Sequence, residues 1–476
     1  MSPRSHLRNA HVLALAFVAS ACTSLDPSED RVAVHDELRA RATVDVAMPA
    51  LDDEAALAED VRALLATPLD AERAVRVALL QNRRVRSLYE ELGVERADLV
   101  QAGLIRNPTF DFDARFLEGG GTDLEFGLSQ PILELFFLPL RNRLAEHEYA
   151  AAKLRVTEEL VALCFAVRRA FARARAAAAL VEVEARALRT AAASHELMRL
   201  LHAAGNATDA ELAVERVGET RARVDLAAAE QAAVEAREPL QALLGLWGEH
   251  TQWSLVAEPL AESALAIDTS RIEARAVEAS LDLRAQREGL NALAQQAGLD
   301  TWRGWFPELA LGANGIRIPG GTWGFGPRLE GELPLFDQGS SRRARSAAQL
   351  RAGMHDFAQS AVELRAAARL LQERFERTLE RARFLRDVHL PQRAEVVRTT
   401  LQNYNAMQIG AFQVLTQRRA ELRDQRELVL VLREVELTQL DLRELLAGSL
   451  PEALRRRLRG AEDEDELAGA TRAERS

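Results

Sequence analysis

The chain has 476 residues, 48% of them hydrophobic but only 5% aromatic, and 61 Lys and Arg against 72 Asp and Glu give a formal net charge of -11. That acidity argues against nucleic acid as a partner, because phosphate binding needs a basic face. The abundance of Ala, Leu, Arg and Glu points to long helices rather than a compact enzyme. Without a Gly-rich phosphate loop, a Cys pair at metal spacing or a serine elbow, neither an enzyme activity nor a cofactor is expected.

Residues 1–21 read as a secretory signal: Arg4 and Arg8 form a charged start, Val12 to Val18 an apolar stretch, and Ala19-Ser20-Ala21 a small-residue cleavage site. Their removal would take two positive charges away and leave -13. Cys22 follows at once, and the junction resembles the lipobox of bacterial lipoproteins, with Ala19 where Leu is usual. The resemblance implies lipidation, as palmitate among other acyl groups, at Cys22; the alternative is a plain secretory signal with a chance cysteine. Residues 22–66 lack strong periodicity and read as a tether. No apolar run elsewhere reaches the roughly 20 residues of a spanning helix, so any passage through a membrane falls to strands.

A first unit, residues 67–250, contains a strand hairpin over 108–130. Phe110, Phe112 and Phe116 alternate with Asp111, Asp113 and Arg115; after Gly119-Gly120-Gly121, Leu124, Phe126 and Leu128 alternate with Glu125, Gly127 and Ser129. From Arg141 to His202 neither Pro nor Gly occurs, and a helix of about 60 residues would be roughly 90 Å long. Leu160, Leu163, Val167 and Phe171 form its apolar stripe, and Cys164 reads as a small packing residue. His195, Met198 and His202, at i, i+3 and i+7, could face a soft metal; packing or a solvated face is the favoured reading, and no metal site is assigned. The tip near 205 is expected to turn on Gly205, with Asn206 beside it and Asp209 as N-cap of the returning helix.

The second unit, 251–447, repeats the design with a period of about 200 residues. Its strand hairpin over 307–335 alternates Leu309, Leu311, Trp323, Phe325, Leu329, Leu333 and Leu335 with Gly324, Gly326, Arg328, Glu330 and Glu332, turning at Pro319-Gly320-Gly321. Phe306-Pro307 matches Asn107-Pro108. A helical segment from Ser341 toward Asn405, broken at Pro391, carries a heptad through Leu350, Met354, Phe357, Ala361, Leu364, Ala368, Leu371 and Phe375. Its tip near 410 pairs Gly410 and Ala411 with Gly205 of the first tip. Residues 448–476, with Glu462-Asp463-Glu464-Asp465-Glu466, read as a charged, disordered tail. Periodicity alone also fits a structural periplasmic or cytosolic coiled coil, and the strand alternation also fits a soluble sandwich.

The segments Ala102 to Pro108, Leu128-Ser129-Gln130-Pro131-Ile132 and Leu333 to Gly339, in this order, resemble those of TolC-like outer-membrane factors over roughly residues 70–447. The resemblance implies a mainly α fold with a small β part. In it, long antiparallel helical hairpins form an α-barrel tunnel, and four strands per chain contribute to a trimeric twelve-stranded β-barrel. It implies a homotrimer in outer-membrane lipid, working with a periplasmic adaptor protein and an inner-membrane transporter as the passive duct of an efflux pump for small molecules or metal ions. A channel for type I protein secretion shares this pattern. By the same resemblance Gly205, Asn206, Asp209, Gly410 and Ala411 are adaptor-docking tips. Alternation then puts Asp111, Asp113, Glu125, Arg328, Glu330 and Glu332 on a wet lumen and Phe110, Phe112, Phe126, Trp323, Phe325 and Leu329 on lipid. Arg141 and Arg143 stand where metal-efflux relatives place paired arginines.

Overall fold

The computed structural model describes residues 25–44, 54–116, 118, 121–256, 267–305, 308–317 and 321–458. The signal segment, Cys22, Gly119, Gly120, Phe306, Pro307, Pro319, Gly320 and the acidic tail lie outside the described residues.

In chain order the elements are α1 (Ser28–Ala42), α2 (Glu54–Leu65), α3 (Ala71–Gln81), α4 (Arg83–Gly103), β1 (Thr109–Phe116), β2 (Thr122–Pro131), α5 (Leu133–Ala203) and α6 (Asp209–Leu244). Then come α7 (Ile272–Ala279), α8 (Leu281–Trp305), β3 (Leu309–Arg317), β4 (Trp323–Gly331), α9 (Ser340–Phe384), α10 (Leu390–Asn405), α11 (Ala411–Ala447) and α12 (Glu452–Leu458). The expected duplication is visible: a strand pair, a long helix and a returning helix, twice. The first long helix starts earlier than its Pro-free stretch suggested, at Leu133, and carries Pro139 inside it. Pro391 does not break the second. A π turn over Leu385–His389 precedes it, and the proline sits at the start of α10, where its missing N–H is least costly.

The chain divides into two compact units. One takes in the described residues up to Val34 with Leu88–Val156 and Leu281–Ala361. Its strands form one antiparallel sheet in the order β1-β2-β3-β4. On its helices Leu88, Leu92, Tyr149 and Leu299 are buried. Arg141 ties this region together, donating from Nη1 to Glu134 (2.7 Å) and from Nη2 to the carbonyls of Ala102 (2.9 Å) and Leu104 (3.3 Å). It thereby satisfies carbonyls that the end of α4 leaves open. Burial raises the cost of ionising Glu134, but the Arg141 hydrogen bond and the charge of Arg303 outweigh it and hold the carboxyl below its usual range.

The other unit comprises His35–Ser87, Thr157–Ser280 and the chain from Val362. Here α5 and α6 run antiparallel, as successive contacts Ser194–Glu215, His195–Glu219 and His202–Asp209 show. The later helices pair likewise through Arg381–Glu427 (2.7 Å) and Arg393–Asp424 (2.7 Å). Leu160, Val167, Phe171, Ala174, Ala176, Leu240, Leu244, Val435 and Leu442 are all buried in its core. Cys164 is buried among them, and burial pushes its thiol up to about 12, so it packs as a small apolar residue. Arg41 binds two helix ends at once, donating from Nη1 to the carbonyls of Ala279 (2.9 Å) and Ala447 (2.8 Å).

Candidate functional site

Period-two alternation gives the sheet two unlike faces. The register pairs Phe110 with Leu128, Phe112 with Phe126 and Ala114 with Leu124, then Phe126 with Gly315, and Gly315 with Phe325, Arg317 with Trp323 and Leu311 with Leu329. All of these lie on one face, whose aromatic rings Phe126, Trp323 and Phe325 stand 5.5 to 6.3 Å apart. Phe110, Phe112, Phe325 and Leu329 are exposed, at 66%, 62%, 73% and 69%. Such a patch has no place against water and needs an apolar cover.

The opposite face carries Asp111, Asp113, Arg115, Asp123, Glu125, Arg328 and Glu330. Glu332 lies one residue past β4, which ends at Gly331, and its amide bonds the Glu308 carbonyl (3.2 Å). Arg115 pairs with Asp113 (3.0 Å) and approaches Glu125 (3.7 Å). Arg328 reaches from β4 to β1, donating from Nη1 to both carboxylate oxygens of Asp111 (3.0 and 2.9 Å) and from Nη2 to Glu330 (3.2 Å). The pair lies directly over Gly127, where a Cβ would collide with the Asp111 carboxylate and stand 3.0 Å from Arg328 Nη1. Two strands separate β1 from β4, so a direct bond between them requires the polar face to curve inward. Within the chain β1 and β4 are each paired on one side only, so both edges of the sheet are open.

The hairpin turns are the second candidate. Gly205 has φ +77° and no neighbour within 4 Å of an added Cβ, so the requirement there is conformational. Its amide bonds the His202 carbonyl (2.9 Å), and the Asn206 amide bonds that of Leu201 (2.8 Å). The N-cap is Thr208, not Asp209. Its hydroxyl accepts from the Glu211 amide (3.2 Å) while the Glu211 carboxylate accepts from the Thr208 amide (2.8 Å), closing a capping box. Asp209 is the first helical residue and meets His202 Nε2 at 2.7 Å. Thr208→Ala is expected to weaken this turn by roughly 1 kcal/mol, seen as faster amide exchange at 209–211 with the global melting temperature unchanged.

At the second tip the left-handed residue is Met407, φ +59°, not Gly410. Met407 and Gln408 amides bond the carbonyls of Tyr404 and Asn403 (both 2.9 Å), matching Gly205 and Asn206. Gly410 is extended (φ -83°, ψ 161°) and occupies the N-cap place of Thr208, with Ala411 next as first helical residue. The pairing of Gly205 with Gly410 is therefore corrected: Gly205 corresponds to Met407 and Thr208 to Gly410. The equal spacing of the two turns from their helix starts was the sequence signal for this, and glycine identity obscured it.

The His195, Met198, His202 stripe does not converge on a ligand. His195 Nδ1 meets Glu219 at 2.6 Å, His202 meets Asp209, and Met198 is buried. Among the described residues no three His, Cys, Asp or Glu side chains are grouped to hold a metal, and no helix is long and apolar enough to cross a membrane.

No family model matches the chain, and no curated protein matches it in sequence. Solved structures do. CusC, studied for the conformational changes that accompany its folding and transmembrane channel formation, is 15% identical, with a TM-score of 0.66 over 80% of this chain and 92% of its own. The outer membrane protein VceC of Vibrio cholerae is 16% identical, with a TM-score of 0.64 over 80% and 97%. The open MtrE outer membrane channel of Neisseria gonorrhoeae is 16% identical, with a TM-score of 0.62 over 80% and 90%. A strand pair followed by a long helical hairpin, twice, over four fifths of the chain, is thus the fold of the TolC-like outer-membrane channels.

Proposed function

We propose that the protein is a passive exit duct in the outer membrane of a Gram-negative bacterium, carrying small molecules or metal ions out of the periplasm. The observation that carries this reading is the curved four-stranded sheet, exposed and aromatic on its convex face, charged on its concave face and open at both edges. Four strands are too few to close a barrel, since spanning barrels have about eight or more. The order is antiparallel throughout, so β4 of one copy would meet β1 of the next antiparallel, and three copies make twelve strands. The front of the α9 heptad supports the same assembly: Met354 is 53% exposed in the single chain, whereas Leu364, Ala368, Leu371 and Phe375 are buried within it. A stripe left open at one end calls for a neighbouring helix.

In this reading the signal 1–21 is cleaved, Cys22 carries lipid, and the turns at Gly205–Asp209 and Met407–Ala411 meet a periplasmic adaptor that links the duct to an inner-membrane transporter. The similar structures include the outer-membrane channels MtrE and OprN, in keeping with this role. The test is fractionation of the full chain, detergent extraction, and mass measurement of the purified particle. An outer-membrane trimer that needs detergent is expected; a monomer that stays in solution without detergent would overturn the proposal.

A further inference from the structure

The polar face of the sheet presents five carboxylates, Asp111, Asp113, Asp123, Glu125 and Glu330, against two guanidiniums, Arg115 and Arg328. The two arginines are used differently. Arg115 bonds a carboxylate two residues away on its own strand, where both groups are more than half exposed. Arg328 is about one third exposed and crosses the whole width of the sheet, with Asp111 on the far edge strand and Glu330 beside it. Its register partner on β3 is Gly312, and its Nη1 stands 3.0 Å from where a Cβ on Gly127 of β2 would lie, so neither residue puts a side chain beside it. One guanidinium thereby pairs with two of the five carboxylates, offsetting one of their two negative charges, and occupies the space in front of the wall.

We propose that Arg328 is the residue that sets the ion preference of the pore, by holding Asp111 and Glu330 out of service as cation-attracting groups. This rests on the channel reading above. In a water-filled passage, rings of carboxylates favour cations and rings of guanidiniums oppose them. A threefold assembly presents every wall charge three times. Loss of Arg328 therefore removes three positive charges from the ring and leaves six carboxylates without their guanidinium, among them the three copies of Asp111 on the far edge strand.

The test is ion permeability of the purified full-length protein in planar bilayers across a KCl gradient. With Arg328→Gln the potassium-over-chloride permeability ratio is expected to rise at least about twofold near 0.1 M salt, and to return toward the parent value at 1 M, where the screening length falls to about 3 Å. The double exchange Asp111→Arg with Arg328→Asp keeps both the pair and the total charge, and is expected to restore the parent ratio. Wild-type pores whose ion preference is unaltered by Arg328→Gln would overturn this assignment and leave the channel reading standing. A change that persists undiminished at 1 M salt would also overturn it, since that marks a distorted wall rather than a charge. Failure of the wild-type protein to form any pore would overturn both.

Discussion

Arginine in place of Phe112 is expected to abolish stable assembly in the outer membrane. Phe112 lies in the middle of β1, opposite Phe126, and is 62% exposed on the aromatic face. A guanidinium on the lipid face of a barrel costs about 2–4 kcal/mol near the bilayer midplane. A trimer repeats the change three times, for a total of roughly 6–12 kcal/mol, comparable with the whole folding stability of a domain. Asp113→Asn, one residue away on the opposite face, is the control and is expected to assemble normally because it stays in contact with water. Fractionation and detergent-resistant trimer content measure both variants. Equal trimer yields from the two would show that the aromatic face does not meet lipid.

The second large effect concerns Arg169, which pairs with Asp441 (3.2 Å) and with Glu444 in the core of the helical unit. Glu444 is 1% exposed, and burial, opposed by Arg169, pushes its carboxyl up to about 7; burial raises Asp441 as well. Arg169→Met leaves the buried Glu444 and the partly buried Asp441 without their nearest counter-charge and is expected to cost about 3–5 kcal/mol at pH 8. The deficit should shrink on acidification, as protonation removes the uncompensated charge. In the parent protein the sign is set by the raised value: the contribution of Glu444 is complete below about pH 4.5 and fades as pH rises through 7. Glu444→Gln, which cannot titrate, is expected to flatten the stability profile between pH 5 and 8. Melting curves of the detergent-solubilised trimer across that range provide the check, and an unchanged profile in Glu444→Gln would remove this residue from the account.

Local periodicity carried much of the architecture. Side chains alternate across a strand and recur every three to four residues on a helix whatever surrounds them. The two faces of β1 to β4 could therefore be assigned from Phe110, Asp111, Phe112 and Asp113, or from Phe325, Arg328 and Leu329, before any coordinates. The same holds for the two helical hairpins and their repetition. The turns were less legible. Glycine marks left-handed backbone only as a preference, so Gly205 was assigned correctly while Met407 took that conformation and Gly410, the expected counterpart, capped a helix instead. At the first tip Thr208 and Asp209 are both good N-caps, and the reciprocal bond with Glu211 decided for Thr208.

By itself, then, the sequence determined the fold class, the number and faces of the strands and the place of each hairpin, because these follow from spacings of a few residues. Only the tertiary structure decided which charges meet. Arg328 and Asp111 are 217 residues apart, Arg169 and Glu444 are 275 apart, and Arg41 caps a carbonyl 406 residues away. No local pattern distinguishes those arginines from the many on solvated helix faces. Their partners are chosen by the curvature of the sheet and the packing of helices, which bring distant backbone together and leave a buried carboxylate or an open carbonyl that a guanidinium must satisfy.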